Sequence, residues 1–243
     1  MTDIRNPVAR RAFVTGLGVG AAALGAGLAA CATAEEKPVP ATAAAAAVAP
    51  VAPARWQPVY NAQDDWMELP GIHRIVFDSL SPDGAGHALV FASNYLGANK
   101  DGYKLEPSDL ATIVIMRHFA TPFGYTDAMW AKYGAIWGKL LKHKDPKTKK
   151  IALRNTLNTV SGPKPSPEDV TLPMLIEKGV HFAICGAATQ FIAGEIAKKT
   201  GGKAADIYAE LAANLIPNSH MVAAGIVAVN RTQERGYAFS YVG

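Results

Sequence analysis

Leu110-Ala111-Thr112-Ile113-Val114-Ile115-Met116-Arg117 runs seven residues without a charge and without alternation of apolar and polar side chains. A strand with one wet face alternates with period two. An unbroken, β-branched apolar run is the pattern of a strand buried on both faces, as in a parallel sheet covered by helices. Upstream, His73 to Asp78 is a shorter apolar run closed by Ser79 and the turn-rich Ser81-Pro82-Asp83-Gly84, and reads as the first strand. Gly86 to Asn99 between them reads as a helix, with Leu89, Val90 and residues 93–96 on its inner face.

Downstream the alternation of strand and helix continues. Thr126 caps a helix through Lys132, with Asp127 in its first turn. Thr171 caps Leu172 to Lys178, where Pro173 occupies the first turn and Gly179 ends the helix. A third strand, Val180 to Ile184, leads to Cys185-Gly186. Helices follow at Thr189 to Lys199 and Ala204 to Leu215, the second with Ile207, Leu211 and Leu215 on one stripe. His220 to Ala223 reads as a fourth strand, Ile226 to Glu234 as a helix stopped by Gly236, and Tyr237 to Val242 as a last strand. This order predicts an α/β fold: a three-layer α/β/α sandwich on a five-stranded, mostly parallel sheet.

The chain divides into three parts. Arg10-Arg11, with an apolar residue two places on, precedes Ala12 to Ala30, which holds no charge. That stretch is long enough to span a bilayer core, but its Gly and Ala make it weakly apolar. Residues 1–30 therefore read as a twin-arginine export signal and place the protein in the periplasm. Leu28-Ala29-Ala30-Cys31 has the form of a lipobox, with a lipid on Cys31 holding the protein to a membrane. Ala32-Thr33-Ala34 offers ordinary cleavage before Glu35 instead. Residues 31–55 are an Ala/Pro-rich tether in which proline prevents a stable helix. Residues 56–243 are long enough for one domain.

Net charge is +4; without residues 1–30, which carry three arginines and one aspartate, it falls to +2, which argues against a nucleic-acid partner. Lysines concentrate in an insertion at about 138–167, where Lys139, Lys142, Lys144, Lys147, Lys149 and Lys150 face only Asp145. With no aromatics among them, they read as a solvated loop rather than a patch for an acidic partner or lipid headgroups. Once Cys31 is lipidated or removed, Cys185 is the one thiol left, so no intramolecular disulfide staples the domain.

Ligands of parallel α/β sheets gather at the carboxyl ends of the strands, which here carry Ser79, His118 and Cys185. Cys185 precedes a small-residue turn and a helix start, where the macrodipole favours an anion. The competing reading makes it one more small buried hydrophobe. His118, beside Arg117 and near Asp127 in sequence, is a candidate proton acceptor. Ser79, His118 and Asp127 lack the Gly-x-Ser-x-Gly elbow of a hydrolase. Gly84-Ala85-Gly86 imitates a dinucleotide fingerprint but has Leu89 in place of its last glycine. Neither a cofactor nor a metal is expected: no Cys-x-x-Cys or His-Glu-x-x-His is present.

Arg117-His118 at a strand end, followed by Thr126-Asp127-Ala128-Met129-Trp130-Ala131-Lys132-Tyr133, resembles the DsrE/DsrF-like family. So do Leu175-Ile176-Glu177-Lys178-Gly179-Val180 leading to Ile184-Cys185-Gly186, and Gly225 to Tyr241 with its Gln233-Glu234-Arg235-Gly236-Tyr237. The resemblance spans roughly Ile72 to Val242 and is greatest to the exported branch with a twin-arginine leader. It implies a five-stranded α/β/α domain assembled into trimers or hexamers, consistent with apolar residues such as Met221 and Val222 beyond one core's needs. It also implies a persulfide carried on Cys185 and exchanged with a sulfur-transfer partner. The other function this sequence supports is a non-catalytic oligomeric module of the cell envelope that binds a small ligand or a protein.

Lysine keeps the charge of arginine but not its planar fork of donors. Arg10→Lys combined with Arg11→Lys is therefore expected to leave the protein in the cytoplasm. Cell fractionation that still finds the double variant outside the cytoplasm would show that the arginine pair is not the export signal.

Overall fold

The structure, a computed structural model, describes residues 57–162 and 169–243. The expected signal with Arg10 and Arg11, the Cys31 anchor and the tether lie outside the described residues, as do residues 163–168 of the lysine-rich stretch.

Five strands, β1 (His73–Ser79), β2 (Leu110–Met116), β3 (His181–Cys185), β4 (Ser219–Val222) and β5 (Ala238–Val242), form one sheet in the order β4-β3-β2-β1-β5. Every pairing is parallel. The central strand is β2, and all seven of its residues are buried, which is why its sequence shows no alternation. Helices α1 (Pro82–Tyr103), α2 (Asp127–Leu140), α3 (Leu172–Glu177), α4 (Gly186–Thr200) and α5 (Ala204–Ala213) lie in the three steps that carry the chain from β1 to β4. Helix α6 (Gly225–Glu234) then returns it to the far side of β1.

Right-handed crossovers put helices that step in opposite directions on opposite faces. Side chains of α1 to α5 accordingly share one core with Phe77, Val114, Met116, Phe182 and Ile184. Val76, Ala111, Ile113, Ile115 and Ala183 point into a second, smaller core with Ala228 and Val229 of α6. Among the described residues, five helices cover one face, and the other has a single helix that leaves part of it bare.

The rest comes from residues 57–69, which the sequence patterns leave unassigned. Asn61 caps a 3₁₀ turn at Ala62–Met67, its side chain accepting the Gln63 N–H at 2.9 Å. Met67 is fully buried in the smaller core, and its carbonyl accepts the Tyr237 hydroxyl at 2.6 Å. Burial pushes the Tyr237 pKa up to about 12, so the phenol stays a donor. This segment is a strap across the thin face.

Several helix boundaries differ from the sequence expectation, among them the end of α1, at Tyr103 rather than Asn99, and that of α5, at Ala213 rather than Leu215. Helix α1 starts at Pro82 rather than Gly86, because Ser81 is its N-cap, accepting the Gly84 N–H at 2.9 Å, with Pro82 in the first turn. Helix α2 runs on past Lys132 to Leu140, because Tyr133 and Trp137 carry its buried face for two more turns. Helix α4 starts at Gly186 rather than Thr189, with Cys185 itself as N-cap. Met221 and Val222 are not surplus apolar surface: Val222 belongs to the smaller core and Met221 lies against the larger.

The polar stretch after α2 has little regular structure but is held by two buried side chains. Asp145 accepts N–H groups from Lys147 and Thr148 and pairs with Arg154. Burial opposes its charge, but those donors outweigh it and hold its pKa below the usual carboxylate value. Asn155, with no exposed surface, donates to the carbonyls of Phe123 and Tyr125 at 2.7 and 3.1 Å. Its backbone N–H donates to Asp127, which also accepts from Asn158. Asn155→Ala strands two buried carbonyls and is expected to lower the unfolding free energy by about 2–3 kcal/mol in urea titration. A loss within error would show that those carbonyls find other donors.

Candidate functional site

The carboxyl ends of β1, β2 and β3 place three reactive groups close together. Asp78 and Arg117 leave neighbouring strands, Asp78 standing opposite Ile115 in the β1–β2 register. The Arg117 guanidinium grips the carboxylate with both prongs, Nε to Oδ1 at 2.7 Å and Nη2 to Oδ2 at 2.8 Å. Asp78 is 1 % exposed, so this is a buried ion pair with one partner reaching solvent. The bond to Asp78 raises the Arg117 pKa against the opposing effect of burial, and Tyr241 and Cys185 add smaller attractions. The arginine stem passes over Gly225, where a Cβ would lie 2.5 Å from Arg117 Cβ and 2.8 Å from its Cδ. No side chain fits there, so a glycine opens helix α6.

Cys185 ends β3 and begins α4 in a single residue. Its Sγ accepts the Ala188 N–H at 3.4 Å, in the place a serine or aspartate oxygen takes in other N-caps. Its carbonyl accepts the Thr189 hydroxyl at 2.8 Å, and Thr189 in turn accepts the Tyr125 hydroxyl at 2.8 Å. Burial, the largest influence, drives the Tyr125 pKa up and keeps that phenol protonated. At Gly186 a Cβ would stand 2.7 Å from the Val222 carbonyl, so α4 starts close against the end of β4.

Cys185, Arg117 and His118 line one cleft of about 430 Å³. Its other walls are mainly apolar, with Phe119, Phe191, Ile192 and Ile226 prominent. Phe191 and Ile226 remain 54 % and 59 % exposed, so apolar surface is open to water beside a thiol that is itself only 6 % exposed. His118 begins a 3₁₀ turn in the left-handed region, at φ +53°, with its ring against Phe119 at 4.2 Å.

Cys185 and His118, the site residues expected from sequence, thus share a cleft, and the other strand-end candidate does not join them. Ser79 is fully buried and donates to the Ile115 carbonyl at 2.7 Å. Asp127 serves the 155–158 turn, so Ser79, His118 and Asp127 make no triad. Gly84 and Gly86 have packing roles: a Cβ would stand 2.0 Å from the Gly243 carbonyl at the first and 1.9 Å from the Ser161 carbonyl at the second. Among the described residues, no cluster of three or more His, Cys, Asp or Glu side chains could hold a metal, and no helix is long and apolar enough to cross a membrane.

Asp78 was missed from sequence. A carboxylate just after the apolar Ile75-Val76-Phe77 of one strand, with an arginine just past the neighbouring one, was the available signal. Phe191 and Ile226 gave none, because apolar residues on helices read as core. Comparison of the chain with protein-family models, with curated proteins and with solved structures finds no match.

Removing one partner of a buried ion pair leaves the other uncompensated, and Asp78 is the more deeply buried. Arg117→Met is expected to cost about 3 kcal/mol of stability, and adding Asp78→Asn to recover much of that loss. Urea unfolding of the two single variants and the double one measures the coupling. Additive losses would show that the pair does not act as a unit.

Proposed function

We propose that this is a sulfur-handling protein of the cell envelope in which Cys185 accepts a sulfane sulfur and passes it on. One observation carries the reading: a thiol with an amide N–H aimed at its sulfur borders an open apolar cleft that also holds a cation and an imidazole. The amide and the N-terminal end of α4 both favour negative charge on the sulfur. In the forward step the Cys185 thiolate attacks the outer sulfur of a donor persulfide, R–S–SH. The donor S–S bond breaks, R–S⁻ departs with the bonding pair, and Cys185 is left as Cys–S–SH. No net oxidation occurs, and an acceptor thiolate on a partner protein takes the sulfur by the same exchange. His118, which lines the same cleft, is the group this reading assigns to take the thiol proton.

The lining also bears on the donor. Arg117 is already neutralised by Asp78, and the walls are mostly aromatic and aliphatic, so a dianion such as thiosulfate would shed water for little return. Organic persulfides with an apolar body suit the cleft better. The cellular setting in this reading is a periplasmic protein held to a membrane by a lipid on Cys31, assembled as trimers or hexamers.

A second reading, a non-catalytic oligomeric module that binds a small ligand or a protein, is favoured by the exposure of Phe191 and Ile226 and the near-complete burial of Cys185. Loading with an organic persulfide, followed by intact-mass analysis, separates the two. The wild type is expected to gain 32 Da steps (about one sulfur each) that Cys185→Ser does not. A folded wild type that resists both sulfur loading and alkylation would reassign Cys185 to the core and leave the binding module standing.

A further inference from the structure

Away from the cleft, two histidines and a tryptophan meet where the strap crosses β3 and β4. His181 Nδ1 and His220 Nε2 are 3.0 Å apart, with the rings 7° from parallel, so one nitrogen donates and the other accepts. Trp66 of the strap lies on His220 at 4.1 Å and 7°, and extends toward His181 at 6.5 Å and 13°. All three side chains are half-buried. Sulfur transfer has no use for this stack, and the inference from it stands apart from the thiol chemistry.

We propose that His181, His220 and Trp66 form an acid-sensitive clasp that holds the strap at neutral pH and lets it open as the histidines take up protons. A neutral pair shares one N–H between the facing nitrogens. A first added proton places charge in a stack half withdrawn from water, and a second makes both nitrogens donors, which breaks the bond and sets two cations side by side. Attraction of a protonated His220 to the Trp66 face offsets part of this, so the contact between the two histidines is the one that fails.

The charged groups on the elements that meet at the stack are Asp64, Asp65 and Glu68 on the strap, Glu177 and Lys178 beside His181, Arg74 on β1, Arg231 and its partner Glu234 on α6, and Arg235 just past that helix. Asp64 and Glu68 are already engaged by those arginines, Arg231 to Asp64 at 3.7 Å and Arg235 to Glu68 at 3.0 Å. Arg235 also lies 4.3 Å over the Tyr60 ring. These anchors tie the strap to α6 and the residue after it through ion pairs and a ring contact, apart from the imidazole pair.

The direction follows from linkage. Burial, and then the neighbouring His181, lower the His220 pKa to about 4, and burial lowers that of His181. An open strap returns both rings to water and to an ordinary value of about 6.5. The closed form then binds protons less readily than the open one. Its advantage is complete above about pH 6.5 and is lost as pH falls toward 4. Opening uncovers the thin face, where Met67 now shields Val76, Ile113 and Ile115.

The test is hydrogen exchange of the full-length protein at pH 7.5 and 4.5, corrected for the intrinsic effect of pH on exchange. Exchange at residues 62–69 is expected to rise about ten-fold or more in acid, since one unit of pKa difference corresponds to a tenfold change in the opening equilibrium. Residues 110–116 of β2 are expected to stay protected. His220→Phe keeps a ring under Trp66 but cannot titrate, and is expected to lose the share of the acid response that His220 carries, leaving only the smaller part due to His181. Should that variant not fold, Trp66→Ala decides: its strap is expected to exchange at pH 7.5 about as fast as the wild-type strap does at pH 4.5, and wild-type protection there overturns the proposal. An unchanged wild-type strap in acid, an equal acid response in His220→Phe, or loss of β2 protection together with the strap also overturns it.

Discussion

A parallel strand with apolar side chains on both faces has to be covered twice, and most of this structure follows from how β2 is covered. Three successive crossovers in one direction put five helices on one face. The single return crossover puts only α6 on the other. Burying a Val or Ile side chain contributes ~1.5–3 kcal/mol, so an uncovered Ile113 or Ile115 would be a serious loss in a domain of this size. The strap supplies the missing cover. Its aromatic and ionic anchors, Tyr60 over Arg235, Glu68 beside Arg235 and Trp66 on His220, explain how so short a segment with one fully buried side chain, Met67, stays in place.

The same parallel arrangement determines where chemistry can occur. All strand ends of one sense lie along one edge, so Asp78, Arg117 and Cys185 are gathered there despite their separation in sequence. The Asp78–Arg117 pair consumes the charge that would otherwise dominate the cleft, and what remains is a nearly neutral, apolar opening beside a sulfur. That combination distinguishes the site from an anion hole and inclines the proposed chemistry toward donors with an apolar body. The close approaches at Gly186 and Gly225 belong to the same edge: α4 and α6 begin against neighbouring backbone and the arginine stem, and no side chain could stand at either start.

The lysine-rich stretch shows how composition alone misleads. Six lysines against one aspartate describe a solvated loop, and all six are in fact exposed. Yet the single aspartate is buried and organises the turn through two N–H groups and Arg154. Asn155 then ties the loop to the carbonyls ahead of α2. In a run of like charges, the exception was the structural residue.

Local pattern determined the alternation of strand and helix, the full burial of β2, the stripe of Ile207 and Leu211, and the helix stops at Gly179, Gly201 and Gly236, because each depends on side-chain periodicity or on one residue's backbone freedom. The same local reading placed Cys185 and His118 at strand ends. Helix starts were less legible, since Ser81 and Cys185 act as caps only once the following N–H groups are in place. Tertiary structure alone decided the strand order, the unequal covering of the two faces, the Asp78–Arg117 pair, the separation of Ser79 and Asp127 from the cleft, and the meeting of Trp66 with His181 and His220. Each of these joins residues distant in the chain, and no periodicity within a segment carries information about which distant segment will lie beside it.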